Sequence, residues 1–338
     1  MIPENSKSFA IYRFPDQQEI HVIAETEGKV VHGFQVAPFD SHLHAQFLIH
    51  ADFSSLMSLE DFNQATIDVE LFHLKKTING GFSSQEEYVN QVVESLKSIE
   101  HEGLSKLVLS RRIQSKFVSP KEIKQAFSKL CEQHKSAFVF CFSHPNSGTW
   151  LGASPELLLD SKQNKHNTMA LAGTLPNSME KAWSEKEILE QSLVTDYIVG
   201  KLKWLKVQNL ELKGPMDKAA GAIKHLCTDI SFESETSSNE IAGTLHPTPA
   251  VAGIPLEKAI EAIKRIETYD REYYTGFCGP VDLNQNSKFF VNLRSAQFCE
   301  EGSIIYCGGG ILKNSDPKSE WIETVRKSET VLGALEKM

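Results

Sequence analysis

The sequence has no paired cysteines. Cys131, Cys141, Cys227, Cys278, Cys299 and Cys307 show no CxxC spacing. That spacing gives no support to a zinc knuckle or a disulfide framework, and it fits free thiols in a reducing compartment. No apolar run reaches the roughly 20 residues that a membrane helix needs. The opening Met1-Ile-Pro-Glu-Asn-Ser6 has neither a basic n-region nor an apolar h-region, so no signal peptide is expected. A cytoplasmic protein follows as the expectation. Basic residues are scattered through a chain of formal net charge −9, which argues against a nucleic-acid partner. Low-complexity tracts and short repeats are also missing. What is present is 338 residues with 41% hydrophobic content, enough for a large core.

Hydrophobic patterning divides the chain. Residues 8–50 alternate in short apolar runs broken by Pro, Asp and Gly, which predicts several strands. Residues 51–80 are ambiguous in pattern, with room for a strand near 67–72. Ser84 and Glu87 form a capping box, and Tyr88, Val92, Leu96 and Ile99 then recur at helical spacing up to Gly103. A strand covered on both faces is expected over 105–112, with Lys106 at its mouth. A helix over 120–133 and a strand over 137–143 follow. Gly152 to Pro155 reads as a tight turn that presents Glu156 at the start of a strand. Residues 169–174 are small and apolar, as if lining a cavity. A long helix is expected from 184 to about 207, and a strand over 223–230. Prolines at 247, 249 and 255 make 245–255 an ordered loop. A helix over 256–267 precedes strands near 276–281, 289–298 and 303–307. The fold class is α+β, with large, mainly antiparallel sheets flanked by helices.

One stretch stands out. An apolar run ends in Gly308, Gly309 and Gly310, which suit a backbone nest for an anion. Asp316 before Pro317 then marks a helix start. Glu320 and Glu323 share a face of that helix, with Lys327 one turn further on. Glu187 and Glu190 repeat the same three-residue step. Paired carboxylates suit a hard cation such as Mg2+. For one isolated helix the plainer reading is a solvated face with an i, i+4 ion pair.

Further motifs add to this. They are Lys106-Leu-Val-Leu-Ser-Arg111, Gly152-Ala-Ser-Pro-Glu156, Leu171-Ala-Gly-Thr174, Lys186-Glu-Ile-Leu-Glu190 and Lys224-His-Leu226. Leu245-His-Pro-Thr-Pro-Ala250, Tyr269-Asp-Arg-Glu-Tyr-Tyr-Thr-Gly276 and Val291-Asn-Leu-Arg-Ser-Ala296 follow. Cys307-Gly-Gly-Gly-Ile311 and Ser315-Asp-Pro-Lys-Ser-Glu-Trp-Ile-Glu-Thr324 close the set. In this order, over the C-terminal two-thirds, the set resembles the chorismate-utilising enzymes, and within them the isochorismate synthases.

The resemblance implies one domain over the whole chain, 1–338, with a shorter and less typical sheet portion over 1–80, and it implies a chorismate substrate, a Mg2+ cofactor and a monomer. It also implies a reaction in which water enters at C2 and the C4 hydroxyl leaves. By motif position Lys106 is then the base and Glu156 the acid. Glu190 and Glu323 would ligate Mg2+ directly, while Glu187 and Glu320 would hold metal-bound waters. Arg294, Tyr274, Gly308 and Lys327 would receive the second carboxylate. His225 and Ala250 would lie beside the ring. Gln191 departs from the family pattern, which has histidine after the inner carboxylate. A neutral amide can serve there as a hydrogen-bonding neighbour. Lys106 and the His-Pro-Thr-Pro loop disfavour the amine-forming branches. A salicylate synthase, or a non-catalytic chorismate-binding homologue, remains as an alternative.

Overall fold

The computed structural model describes residues 2–76, 80–177, 182–220, 223–284 and 286–336. The chain begins with β1 (Ser8–Arg13), β2 (Ile20–Glu25), β3 (Gly33–Ala37), β4 (Phe47–His50) and β5 (Phe53–Met57). Helices α1 (Leu59–Gln64) and α2 (Gln85–His101), strand β6 (Lys106–Ser115) and helix α3 (Pro120–Gln133) follow. Four strands come next: β7 (Phe138–His144), β8 (Gly148–Ser154), β9 (Leu157–Lys162) and β10 (Lys165–Pro176). Then come α4 (Glu185–Trp204), β11 (Gln208–Ala220), β12 (Ile223–Glu233), α5 (Ser238–Leu245), β13 (Gly253–Ile254) and α6 (Leu256–Ile266). The chain closes with β14 (Phe277–Val281), β15 (Ser287–Val291), β16 (Ser295–Cys299), β17 (Gly302–Ile311) and α7 (Pro317–Glu336).

The strands form two sheets whose ladders are antiparallel throughout. One has nine strands in the order β13-β6-β17-β16-β8-β7-β1-β2-β5. The other has eight, in the order β11-β12-β10-β9-β15-β14-β3-β4. The N-terminal strands are woven into both. β1 pairs with β7 in the larger sheet, and β3 pairs with β14 in the smaller. An aromatic layer fills the space between the sheets. Phe138 of β7 stacks on Phe290 of β15 at 4.2 Å, with Phe34, Phe140, Trp150 and Tyr306 around them. Burying each such ring contributes on the order of 2–3 kcal/mol. Helices α3 and α7 cover the outer face of the larger sheet through Phe127, Leu130, Val331 and Leu335. Helices α4 and α5 cover the smaller sheet through Val194, Ile198, Leu202 and Ile241.

Local chemistry accounts for the helix starts. Ser84 and Ser119 each close a capping box with the glutamate three residues on. Asp316 Oδ1 accepts the Ser319 N–H at 2.9 Å at the start of α7.

Four expectations need correction. Residues 67–72 form no strand. Asp68 caps the 3-10 turn Val69–Leu71, because its side chain accepts the Glu70 N–H and favours a turn over a ladder. Gly152 to Ser154 are not a turn but the end of β8, paired with β16 and β7. The break falls at Pro155 and Glu156. The expected strand over 289–298 is two strands, β15 and β16, parted at Asn292 to Arg294. Arg294 there has φ of 47°, which a continuing strand does not allow. Finally, Gly308 to Gly310 are not a nest. They lie inside β17, opposite Ser110, Leu109 and Val108 of β6.

The second and third corrections describe one corner. β8 and β16 are neighbours in the larger sheet, and β9 and β15 are neighbours in the smaller. Both strand pairs cross between the sheets side by side, as strands do where packed sheets exchange members.

Candidate active site

A cavity opens beside that corner. Its lining includes Glu156, Leu171 to Thr174, Glu190, His225, Ala250, Tyr274, Arg294, Gly308 to Gly310 and Lys327. All six of the expected substrate contacts therefore border one space, together with Glu156 and Glu190. The small residues 171–174 lie in β10, as a cavity wall requires.

Glu156 sits at the β8–β9 crossing with 4% of its surface exposed. Burial pushes its carboxyl up to about 7, against the opposing charges of Lys106, Lys327 and Lys218. It is thus a carboxylic acid able to hold a proton near neutral pH. Arg294 sits at the neighbouring crossing. Its backbone O accepts the Ala153 N–H at 3.2 Å, and Glu156 O accepts the Val291 N–H at 3.0 Å. The two functional side chains are therefore fixed by the same backbone corner.

Arg294 Nη2 donates to His225 Nε2 at 2.9 Å. His225 Nδ1 donates to Gly173 O at 2.8 Å. One nitrogen donates and the other accepts, so the ring is neutral. Burial, and then the charges of Arg294 and Lys327, hold its pKa well below the usual value. Burial also lowers the Arg294 guanidinium to about 10. Tyr274 is buried and stacks on Tyr306 at 5.1 Å.

Lys106 opens β6 and is fully buried. Its Nζ stands 3.0 Å from Glu190 Oε1, an ion-pair distance whose angles fall short of a hydrogen bond. It lies behind Gly310, outside the cavity lining. A Cβ on that glycine would lie 3.1 Å from Lys106 Cε and 2.2 Å from Glu190 Oε1. Gly310 therefore admits side chains from behind, which is a different use from cradling an anion. Lys327 joins Glu323 at 2.7 Å and donates to Gly308 O at 3.0 Å.

The four expected metal carboxylates part company. Glu187 Oε2 accepts the Ser184 N–H at 2.9 Å and caps its own helix. Glu190, Glu320 and Glu323 converge over the glycines. A Cβ on Gly309 would be 3.6 Å from both Glu320 Oε2 and Glu323 Oε1. Glu320 is 1% exposed, and its Oε2 has no hydrogen-bond partner among the described residues. Burial and the Glu323 charge raise its pKa, against Lys186. Burial also opposes the Glu190 charge, but Lys106 and Lys327 outweigh it and the pKa falls. Each of the three carboxylates faces a lysine. Among the described residues, no three acid, imidazole or thiol groups stand close enough to hold a metal as arranged. An orphaned, buried carboxylate oxygen and a glycine-floored gap still fit a hard cation in chemistry.

Gln191 donates to Thr228 Oγ1 at 2.6 Å and Thr195 Oγ1 at 2.9 Å, pinning α4 to β12 beside Glu190. Sequence reading missed Lys186, whose Nζ is 2.6 Å from Glu320 Oε1, and Lys218, which acts on Glu156 from β11. It also gave no role to the buried Arg271–Glu267 pair at 2.6 Å. The Tyr269-to-Gly276 motif held Arg271 in view. Nothing in the pattern over 208–220 marked Lys218.

Comparison with known proteins agrees with this geometry. A family described as chorismate binding enzyme matches residues 37–336. The vibriobactin-specific isochorismate synthase of Vibrio cholerae is 29% identical over 315 residues, covering 89% of this chain and 78% of that one. The isochorismate synthase DhbC of Bacillus subtilis is 30% identical, covering 74% and 68%. The solved structure of MenF, the menaquinone-specific isochorismate synthase of Escherichia coli, superposes with a TM-score of 0.81. It covers 98% of this chain and 89% of that one; at 22% identity the likeness is one of fold.

Proposed function

This chain belongs to the chorismate-binding enzymes, and we propose that it converts chorismate to isochorismate. The carrying observation is Glu156. It is a buried acid with a pKa of about 7 that lines the same cavity as Arg294 and lies within the field of buried Lys106.

In this reading Lys106, from behind Gly310, works in its neutral amine form, released from the Glu190 ion pair, and takes a proton from the attacking water. That water forms the C2–O bond, the ring double bonds shift, and the C4–O bond breaks. The leaving hydroxyl carries away the Glu156 proton as water. One water enters and one leaves, so the change is a net isomerisation. Arg294, Tyr274 and Lys327 receive one substrate carboxylate, and Gly308, inside β17, holds Lys327 through its backbone O. Arginine's planar fork suits that task. Neutral His225 orients Arg294 without adding charge, and Ala250 borders the ring.

Glu190 and Glu323 would ligate Mg2+, with Glu320 holding bound water. Glu187 would join them only by leaving its cap. Bound Mg2+ would supply a fixed positive charge for the other substrate carboxylate. The enzyme is proposed to act as a monomer in the cytoplasm. No helix among the described residues is long and apolar enough to cross a membrane.

The test is chromatography of products from purified protein, chorismate and Mg2+, with and without EDTA. Isochorismate that is lost with EDTA supports the reading. Salicylate and pyruvate as main products would replace it with the lyase reading. Unconsumed chorismate would overturn catalysis.

A further inference from the structure

The chemistry above assigns no task to Lys186, yet it holds the most buried carboxylate of the cluster. It lies in the first turn of α4 and reaches across to α7, where its Nζ is 2.6 Å from Glu320 Oε1. The two partners differ in freedom. The Glu320 side chain is 1% exposed, whereas the Lys186 side chain is 28% exposed. The lysine can swing toward solvent; the carboxylate cannot. The other two lysines of the cluster are more firmly held. Lys106 is fully buried, and Lys327 is tied to both Glu323 and Gly308 O. Among the described residues, the one hydrogen-bond partner of Lys186 is Glu320. Glu320 Oε2 meanwhile lacks a partner, so the ammonium satisfies only half of the buried carboxylate.

We propose that Lys186 is a displaceable counter-cation, which occupies the carboxylate cluster in the metal-free enzyme and competes with Mg2+ for Glu320. The inference rests on the metal reading given above and adds a competitor to it. Three carboxylates crowded over Gly309 and Gly310 repel one another, and a lysine that neutralises one of them makes the empty cluster tolerable. Anything that stabilises the metal-free form must weaken metal binding by the same factor.

The experiment uses the full chain without substrate. Mg2+ alone is titrated calorimetrically, and melting temperature is recorded with and without it. The proteins are the wild type, Lys186→Met, Lys186→Arg and Lys318→Met. Lys318 is exposed on the same end of α7 and controls for general charge removal. Lys186→Met is expected to bind Mg2+ about tenfold more tightly. It should also melt lower without metal and gain more from it. Lys186→Arg, which keeps the charge, and the Lys318 control should stay near wild type. If wild type binds Mg2+ and Lys186→Met binds equally or more weakly, the competition is refuted while the metal site stands. If only Lys186→Met binds, the competition is supported in its strongest form. If neither binds, the metal reading falls and this inference falls with it. If Lys318→Met tightens binding as much as Lys186→Met does, the effect is diffuse charge and the inference fails.

Discussion

Arg294 and His225 are joined by a 2.9 Å hydrogen bond in which the guanidinium donates and the imidazole accepts. An accepting nitrogen at that position requires the ring to be neutral, and its other nitrogen is committed to Gly173 O. His225 should therefore show no protonation near its ordinary pKa of about 6.5. His225→Gln keeps an acceptor and should retain most activity. His225→Leu removes one hydrogen-bond acceptor from the buried guanidinium, which typically costs about 1–3 kcal/mol. We expect KM for chorismate to rise by about tenfold or more in Leu and little in Gln. Steady-state kinetics of the two variants decide it; equal KM values would mean that His225 does not orient Arg294.

Glu156 gives the pH prediction. Its folded-state pKa of about 7 lies above the ordinary glutamate value because burial disfavours the charge. As general acid it works protonated, so with Lys106 as a neutral amine kcat should decline as pH rises through about 7, while protonation of the base limits the acid side. The same shift governs stability. A raised carboxyl pKa means that the protein is most stable below the unfolded value and loses that contribution as pH rises through the folded value. Glu156→Gln cannot ionise. It should lose about 100-fold or more in kcat, yet melt higher than wild type at pH 8. A variant that melted lower at pH 8 would show that the ionised carboxylate is well accommodated, and the acid role would lose its basis.

How much of this was legible in the sequence depends on the physics of each residue. The helix starts at Ser84 and at Asp316–Pro317 could be read because a cap depends on residues three apart. The roles of Lys106, Glu156, Glu190 and Arg294 came from motif order; the structure puts the last three on the wall of one cavity and Lys106 behind it, against Glu190. The corner between the sheets was not legible. Gly152 to Pro155 looks like a turn locally, but whether β8 and β9 form a hairpin or part into two sheets depends on β15 and β16, more than 100 residues away. The glycines at 308–310 misled for a related reason. Glycine signals close approach but not by what, and here it is the Leu109 backbone at Gly308, Glu320 and Glu323 at Gly309, and Glu190 and Lys106 at Gly310. Strand β11 stayed hidden because its residues are largely exposed and its short alternation, Leu210 and Leu212, runs straight into Gly214 and Pro215.

Arg271 and Glu267 supply the stability prediction. Both side chains are 1% exposed and meet through two bonds of 2.6 and 2.9 Å. Arg271 also donates to Val251 O and to Val108 O, both at 2.7 Å, while Glu267 accepts the Ser110 N–H at 2.7 Å. The pair thus ties α6 to β6, which carries Lys106, and to the loop that holds Ala250. Removing one partner strands the other as a buried charge, at a cost of about 3–5 kcal/mol. Urea denaturation of Glu267→Ala and Arg271→Met should show losses of that size, with non-additivity in the double variant. A loss under about 1 kcal/mol for either would mean that water enters the site.

Gly310→Ala separates geometry from stability. Residue 310 lies in β17 and needs no special backbone angle, so alanine is tolerated by the strand. Its methyl group would nevertheless stand 2.2 Å from Glu190 Oε1 and 3.1 Å from Lys106 Cε. The carboxylate must then move, and with it the ion pair that places the Lys106 ammonium. A displacement of about 1 Å in a reacting group can cost about 100-fold in rate. We expect Gly310→Ala to fold, to melt within a few degrees of wild type, and to lose about 100-fold or more in kcat/KM. Gly308→Ala differs, since its Cβ would meet the Leu109 backbone O at 2.5 Å, and the strand pairing itself should weaken. Melting curves and kinetics on both variants distinguish the cases. If Gly310→Ala kept full activity, Lys106 and Glu190 would not need their present positions, and the base assigned to the reaction would have to be sought elsewhere in the cavity.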